Sequence, residues 1–133
     1  MRSESMSNNF QNQIPIPTEA QEQEALFRWA DFAVGKYPEV KFLYHIPNEG
    51  KRSVYNGAAL RRQGLKKGVP DLCLPVSSRK YHALYIEMKR KGEKPSLQQL
   101  NWIDNLNLFG NRAVWCQGWE AAAKEIERYL RGD

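Results

Sequence analysis

A chain of 133 residues supports one domain with a hydrophobic core and is too short for two ordinary ones. With 20 Lys and Arg against 15 Asp and Glu, the net charge of +5 and the pI near 9.3 suit an anionic partner. Two cysteines without a C-x-x-C pair or a Cys/His cluster argue against zinc, and no apolar run reaches transmembrane length, so we expect no membrane partner.

Residues 1–17 read as a disordered lead-in, and a single domain is expected over 18–133. The lead-in is rich in Ser, Asn and Gln, offers Met6 as an alternative start, and ends in the extended connector Ile14-Pro15-Ile16-Pro17. Its polar character is unlike a signal peptide, and the expected location is soluble and intracellular, in a cytoplasm. Thr18-Glu19-Ala20-Gln21 matches a capping box that starts a helix running to about Lys36. On the helical wheel Glu19 falls in line with Gln23, Leu26, Ala30, Ala33 and Tyr37, with Glu22 at the margin of that stripe and Glu24 pointing away. Glu19 therefore faces inward, or it simply complements the helix dipole from the first turn.

A strand is expected over 40–46, leading into the turn Pro47-Asn48-Glu49-Gly50 with His45 and Asn48 at its mouth. His45 on such a strand is either a hydrogen-bonded structural residue or a substrate contact. Val54 to about Leu65 reads as a short helix with Arg61 and Arg62 exposed, followed by Lys66-Lys67-Gly68. Gly68 is turn punctuation or a close approach to phosphate. Two strands follow, over 70–75 and 82–89, joined by a charged turn. Cys73 in the first and Cys116 in a later strand read as small buried core residues of a reducing compartment. After a basic turn, Ser96-Leu97-Gln98-Gln99 is a second capping box, opening a helix to about Phe109 with Gln99, Trp102, Ile103 and Leu106 on its inner face. A last strand spans 112–117, and a last helix from Trp119 to Leu130 turns Ala122, Ala123, Ile126 and Leu130 inward. Trp102, Trp115 and Trp119 are read as core residues, with a dimer interface as the alternative.

The chemistry concentrates between Gly68 and Lys94. Pro70 sets Asp71 at the very start of the first strand, and alternation along the second puts Ala83, Tyr85, Glu87 and Lys89 on one face and Leu84, Ile86 and Met88 on the other. Charged groups at i and i+2 on an otherwise buried strand are costly unless they neutralise one another or bind something. Asp71 and Glu87 are hard oxygen ligands of the kind Mg²⁺ or Mn²⁺ prefers, and Lys89 beside them can orient a water and offset charge growing on a phosphate. The basic residues Lys51, Arg52, Arg61, Arg62, Lys66, Lys67, Arg90, Lys91 and Lys94 lie in the same half of the chain, where a polyanion would cover the acidic motif.

Pro70-Asp71, fifteen residues, then Glu87-Met88-Lys89 resembles the PD-(D/E)xK nuclease signature. With Lys67 to Leu72, Ile86 to Arg90, Ser96-x-x-Gln99-x-x-Trp102 and Ile46-Pro47-Asn48, the pattern resembles the virus-type replication-repair nuclease (VRR-NUC) family from about Thr18 to Leu130. The resemblance implies that Glu19, in an E-x-x-x-Q pattern with Gln23, joins the metal site, that Gln99 belongs to the active-site constellation, and that Asn48 or His45 contacts substrate. Together with the motif it gives Glu19, Asp71, Glu87, Lys89 and Gln99 as the catalytic set, with the carbonyl of Met88 as a further metal ligand. It also implies a homodimer that cuts branched DNA such as four-way (Holliday) junctions, in DNA repair, in a nucleoid or in the host of a phage. Gln99 has a second explanation, since the third position of a capping box favours Gln for its bond back to the cap.

The order helix, strand, helix, strand, strand, helix, strand, helix gives an α/β fold, a mixed central β-sheet flanked by helices as in restriction-endonuclease-like PD-(D/E)xK enzymes. The function expected is metal-dependent DNA hydrolysis with no small-molecule organic cofactor. The rivals are a non-catalytic DNA-binding module of this fold, a flap or single-strand nuclease, and an α/β scaffold whose charges close into a salt-bridge network.

Overall fold

Alternation in Leu84-Tyr85-Ile86-Glu87-Met88-Lys89 builds the strand on which the sheet is centred. A computed structural model describes residues 14–48 and 54–133; the lead-in before Ile14, the turn at Glu49 and Gly50, and the basic pair Lys51 and Arg52 lie outside the described residues. The elements in chain order are α1 (Glu19–Ala33), a 3₁₀ turn (Pro38–Phe42), β1 (Tyr44–His45), α2 (Val54–Arg62), β2 (Leu72–Leu74), β3 (Leu84–Lys89), α3 (Leu97–Leu108), β4 (Arg112–Gln117) and α4 (Trp119–Arg131). The sheet runs β1-β2-β3-β4, antiparallel at the first two pairings and parallel between β3 and β4, which α3 connects. It is the mixed α/β sheet expected from the sequence.

Both capping boxes form. The Thr18 hydroxyl accepts from Gln21 N and the Gln21 side chain accepts from Thr18 N, and Ser96 and Gln99 make the same reciprocal pair at the start of α3. One face of the sheet presents Leu72, Leu74, Leu84, Ile86 and Met88, all 0–1% exposed, to Leu26 and Ala30 of α1 and Ala122, Ala123 and Ile126 of α4. Each such side chain contributes about 1.5–3 kcal/mol relative to an exposed one. Tyr85, Glu87 and Lys89 point to the opposite face, where α3 packs against β4, so the apolar face anchors the strand and the other carries its charges.

Four details depart from the sequence reading. The expected strand over 40–46 is a 3₁₀ turn followed by a two-residue strand, because Pro38 fixes a helical φ at its start and turning the chain drives Val40 into the core at 1% exposure. Glu22, placed at the margin of the α1 stripe, is 5% exposed, and the innermost α4 residue of the last turn is Tyr129 rather than Leu130. Trp115 stands 37% exposed on the edge strand β4 instead of in the core. Cys73 and Cys116 are free and buried, and burial pushes the Cys116 thiol up to about 12.

Candidate active site

The β2–β3 pairing sets Leu72 opposite Ile86, so its continuation would bring Pro70 opposite Met88. The ladder stops there, and the Met88 N–H donates instead to Asp71 Oδ2 at 2.8 Å. Asn48 Nδ2 donates to Asp71 Oδ1 at 3.3 Å, and Ile46 N donates to the Asp71 carbonyl at 2.6 Å. Asp71 is thus pinned at the end of β2 by the strands on both sides of it. One residue before Met88, Glu87 is 2% exposed and accepts at Oε2 from Gln99 Nε2 at 3.2 Å. Lys89 completes the i, i+2 pair, with Nζ 3.5 Å from Glu87 Oε2 and 3.6 Å from Glu19 Oε1.

Glu19 reaches this point from the first turn of α1 and is about two-fifths exposed. Glu19, Asp71 and Glu87 each offer a carboxylate oxygen within 4.8 Å of the others. Like charges about 4 Å apart repel by about 4 kcal/mol at an effective dielectric near 20. One ammonium cannot balance three carboxylates. Burial first, and then the Asp71 charge, push the Glu87 carboxyl up to about 9, while Lys89 pulls the other way. Glu19 is also raised, by burial, with Lys89 again opposing.

Whether these residues suit a metal turns on one atom. Glu87 Oε1 is buried and, among the described residues, has no hydrogen-bond partner, an arrangement that costs about 1–3 kcal/mol unless something else satisfies it. Three carboxylates and one lysine leave a formal charge of −2, all donors are hard oxygens, and the unpaired oxygen belongs to the most buried of them. The donor set fits a divalent cation. Among the described residues no other group of three or more His, Cys, Asp and Glu side chains has this geometry.

A model of the VRR-NUC domain matches residues 10–120 of the sequence. The chain belongs to the VRR-NUC family. A solved structure described as a VRR_NUC domain protein superposes with a TM-score of 0.73 at 25% identity, covering 90% of this chain and 93% of that one. Among curated proteins none matches. Membership gives this VRR-NUC chain a nuclease-type, DNA-processing function.

Around the VRR-NUC acidic cluster the basic residues divide. Arg61 and Arg62 close α2 and, with Lys66, Lys67, Lys91 and Lys94, are exposed. Arg90 is half-buried, and its guanidinium donates to the Ile16 carbonyl at 2.9 Å, holding the connector before α1. The Met88 side chain points into the core at 1% exposure, leaving only its main chain at the site. Two interactions near the cluster were not anticipated. Gln23 Nε2 lies 3.1 Å from His45 Nδ1, joining α1 to β1. Glu22 Oε1 accepts from Trp119 N at 3.3 Å, capping α4 from another helix where Gly118 supplies no side chain. Gly118 has φ +86, and a Cβ there would stand 3.4 Å from Glu22 Oε2. No spacing rule signals either contact, since both partners meet only in the folded chain.

Proposed function

We propose that the protein is a Mg²⁺- or Mn²⁺-dependent endonuclease that hydrolyses phosphodiester bonds in branched DNA, four-way junctions included, as a homodimer in DNA repair. The observation that carries the metal-dependent reading is the convergence of Glu19, Asp71 and Glu87 within 4.8 Å, with an unpartnered buried oxygen on Glu87.

In this reading Asp71 and Glu87 hold the cation, Glu19 joins them from α1, and the Met88 carbonyl adds a main-chain ligand. When bound, the cation acts as a Lewis acid on the phosphate and lowers the pKa of its water. Lys89, held between Glu87 and Glu19, orients the attacking water and offsets charge developing on the phosphate oxygens. Gln99 fixes the Glu87 carboxylate, and Asn48 and the Met88 N–H fix that of Asp71. The exposed cations Arg61, Arg62, Lys66, Lys67, Lys91 and Lys94, together with Lys51 and Arg52 and with Arg90 at the strand end, contact flanking phosphates. Such contacts position DNA without reading its sequence, which suits recognition of branch geometry. Two equivalent strands at a junction call for two copies of the site, the reason a homodimer belongs to this reading.

Labelled four-way junction, flap and linear duplex DNA should be incubated with Mg²⁺, Mn²⁺ or EDTA, comparing wild type with Asp71→Ala and Lys89→Ala. Metal-dependent nicking by wild type alone, with both variants still binding DNA, supports the reading. Binding without cutting under any metal would replace it with a non-catalytic DNA-binding module, and preference for the flap over the junction would replace the junction assignment.

A further inference from the structure

Outside the carboxylate cluster, α3 carries a run of carboxamides that the hydrolytic reading leaves without a task. Gln98, Asn101 and Asn105 recur at i, i+3 and i+7, so they share one helix face with Trp102. With Lys67 from the preceding loop they line a groove of about 390 Å³, within the range of ligand sites. Asparagine is a poorer helix former than the Glu, Lys or Arg that usually cover an exposed face.

The groove is fixed to the acidic cluster on two sides. Gln99, the donor to Glu87, immediately follows Gln98 and lies three residues, about 4.5 Å along the helix axis, before Trp102. The Trp102 indole N–H donates to the Lys67 carbonyl at 3.1 Å, and Lys67 stands four residues before Asp71. Gly68 makes this closeness possible: φ is +94, and a Cβ would lie 3.0 Å from both the Gln98 carbonyl and Trp102 Cδ1.

The polar atoms of the groove are available. Asn105 Nδ2 donates to the Asn101 carbonyl at 2.8 Å, leaving Oδ1 open, and among the described residues no hydrogen bond holds the side chains of Gln98 and Asn101. A carboxamide places a donor beside an acceptor, the pattern that a nucleobase edge presents in complement. An indole offers a stacking surface and a lysine offers charge for the attached phosphate. Among the described residues no carboxylate lines the groove to repel DNA. A paired base within a duplex has its pairing edge occupied and both faces stacked, so the groove suits a base outside the duplex.

We propose that this groove takes the base of an unpaired nucleotide adjoining the cleaved phosphodiester, so that DNA with a single-stranded nucleotide at the branch is preferred over continuous duplex. The proposal rests on the nuclease reading, and it applies to a four-way junction through a nucleotide that unpairs at the crossover. The carboxamides hold the base edge, Trp102 stacks on it, and Lys67 takes a neighbouring phosphate.

The test is cleavage, with Mg²⁺, of a forked DNA duplex in which each nucleotide flanking the cut is replaced in turn by an abasic tetrahydrofuran. Wild type should lose about tenfold in rate at one unpaired position and little elsewhere. Gln98→Ala/Asn101→Ala should cut the intact fork about as slowly as wild type cuts the abasic one, and suffer no further abasic loss. Asp104→Ala, on α3 outside the groove, should keep the full abasic effect. Equal cutting of intact and abasic forks by wild type, or an abasic loss retained in the double variant, overturns the proposal. Should wild type cut no DNA at all, the nuclease reading falls, and fluorescence anisotropy with a labelled pentanucleotide and its abasic counterpart decides the groove separately. A base-dependent affinity lost in the double variant supports a base-binding site there, and equal affinities overturn it.

Discussion

The carboxamide of Gln99 serves two partners at once: Oε1 accepts from Ser96 N at 2.9 Å, closing the capping box of α3, while Nε2 donates to Glu87 Oε2 at 3.2 Å. The helix start and the acidic cluster share one side chain, and substitutions can separate the two roles. Gln99→Glu preserves the capping box, which accepts Glu at that position, but sets a carboxylate against Glu87. It should keep the cap of α3, lose about 1–3 kcal/mol of stability in EDTA because Glu87 Oε2 loses its donor, and lose at least tenfold in metal-dependent cleavage. Gln99→Ala should lose about 1 kcal/mol for the cap in addition, as well as activity. Thermal melts run beside cleavage assays check both, and a Gln99→Glu protein of wild-type activity would reduce Gln99 to its capping role.

Metal-free protein should become less stable as pH rises. The Glu87 carboxyl sits at about 9 in the folded chain against 4.5 for the ordinary group, so between these values the unfolded chain has shed a proton that the folded chain retains. Stability from this group is complete below about 4.5 and is lost as pH climbs through 9, and the raised Glu19 adds to the same trend. Glu87→Gln should flatten the slope, raise the melting temperature in EDTA at pH 8, and abolish the stabilisation that Mg²⁺ or Mn²⁺ gives wild type. Melting curves from pH 5 to 9, with and without metal, measure all three effects.

Glu22 ties α1 to α4 through Trp119 N, only one helical turn from Glu19. Glu22→Ala removes the side chain that caps α4 from α1 and should cost about 1–2 kcal/mol by urea denaturation. Glu22→Gln keeps an acceptor and should cost less than half as much. Because the first turn of α1 also carries Glu19, the alanine variant should bind Mn²⁺ several-fold more weakly, with the glutamine variant restoring most of the affinity. Isothermal titration separates this from a general loss of folded protein.

Features governed by neighbours in sequence were legible from sequence, and features governed by distant partners were not. Capping boxes at Thr18 and Ser96, the span of β4 from Arg112 to Gln117, and the two faces of β3 all follow from local pattern, and the structure has each of them. Asp71, Glu87 and Lys89 could be read together because β2 and β3 are consecutive and antiparallel, so their pairing brings these ends into register. The segment over 40–46 misleads because Val, Phe, Leu and Tyr favour strands, yet Pro38 bends the chain before pairing can begin. Glu22 misleads for the opposite reason: a helical wheel knows only α1, while the group that buries this carboxylate arrives 97 residues later. The Gln23 to His45 contact likewise needs the fold before it can be seen.

Lys89 tests whether binding and chemistry are separable at this site. Its ammonium lies 3.5 Å from Glu87 Oε2 and 3.6 Å from Glu19 Oε1, so it competes with any cation for the same oxygens while sparing the protein part of their mutual repulsion. Removing it leaves three carboxylates with no counter-charge and no donor for a water. Lys89→Ala should therefore lose at least a hundredfold in cleavage, melt earlier than wild type in EDTA, and regain most of that loss when Mn²⁺ is added. Its affinity for Mn²⁺ by isothermal titration should equal or exceed that of wild type, because the metal replaces the missing charge. A variant that binds metal weakly would instead make Lys89 a support for the carboxylates, and one that still cuts DNA would remove it from the reaction.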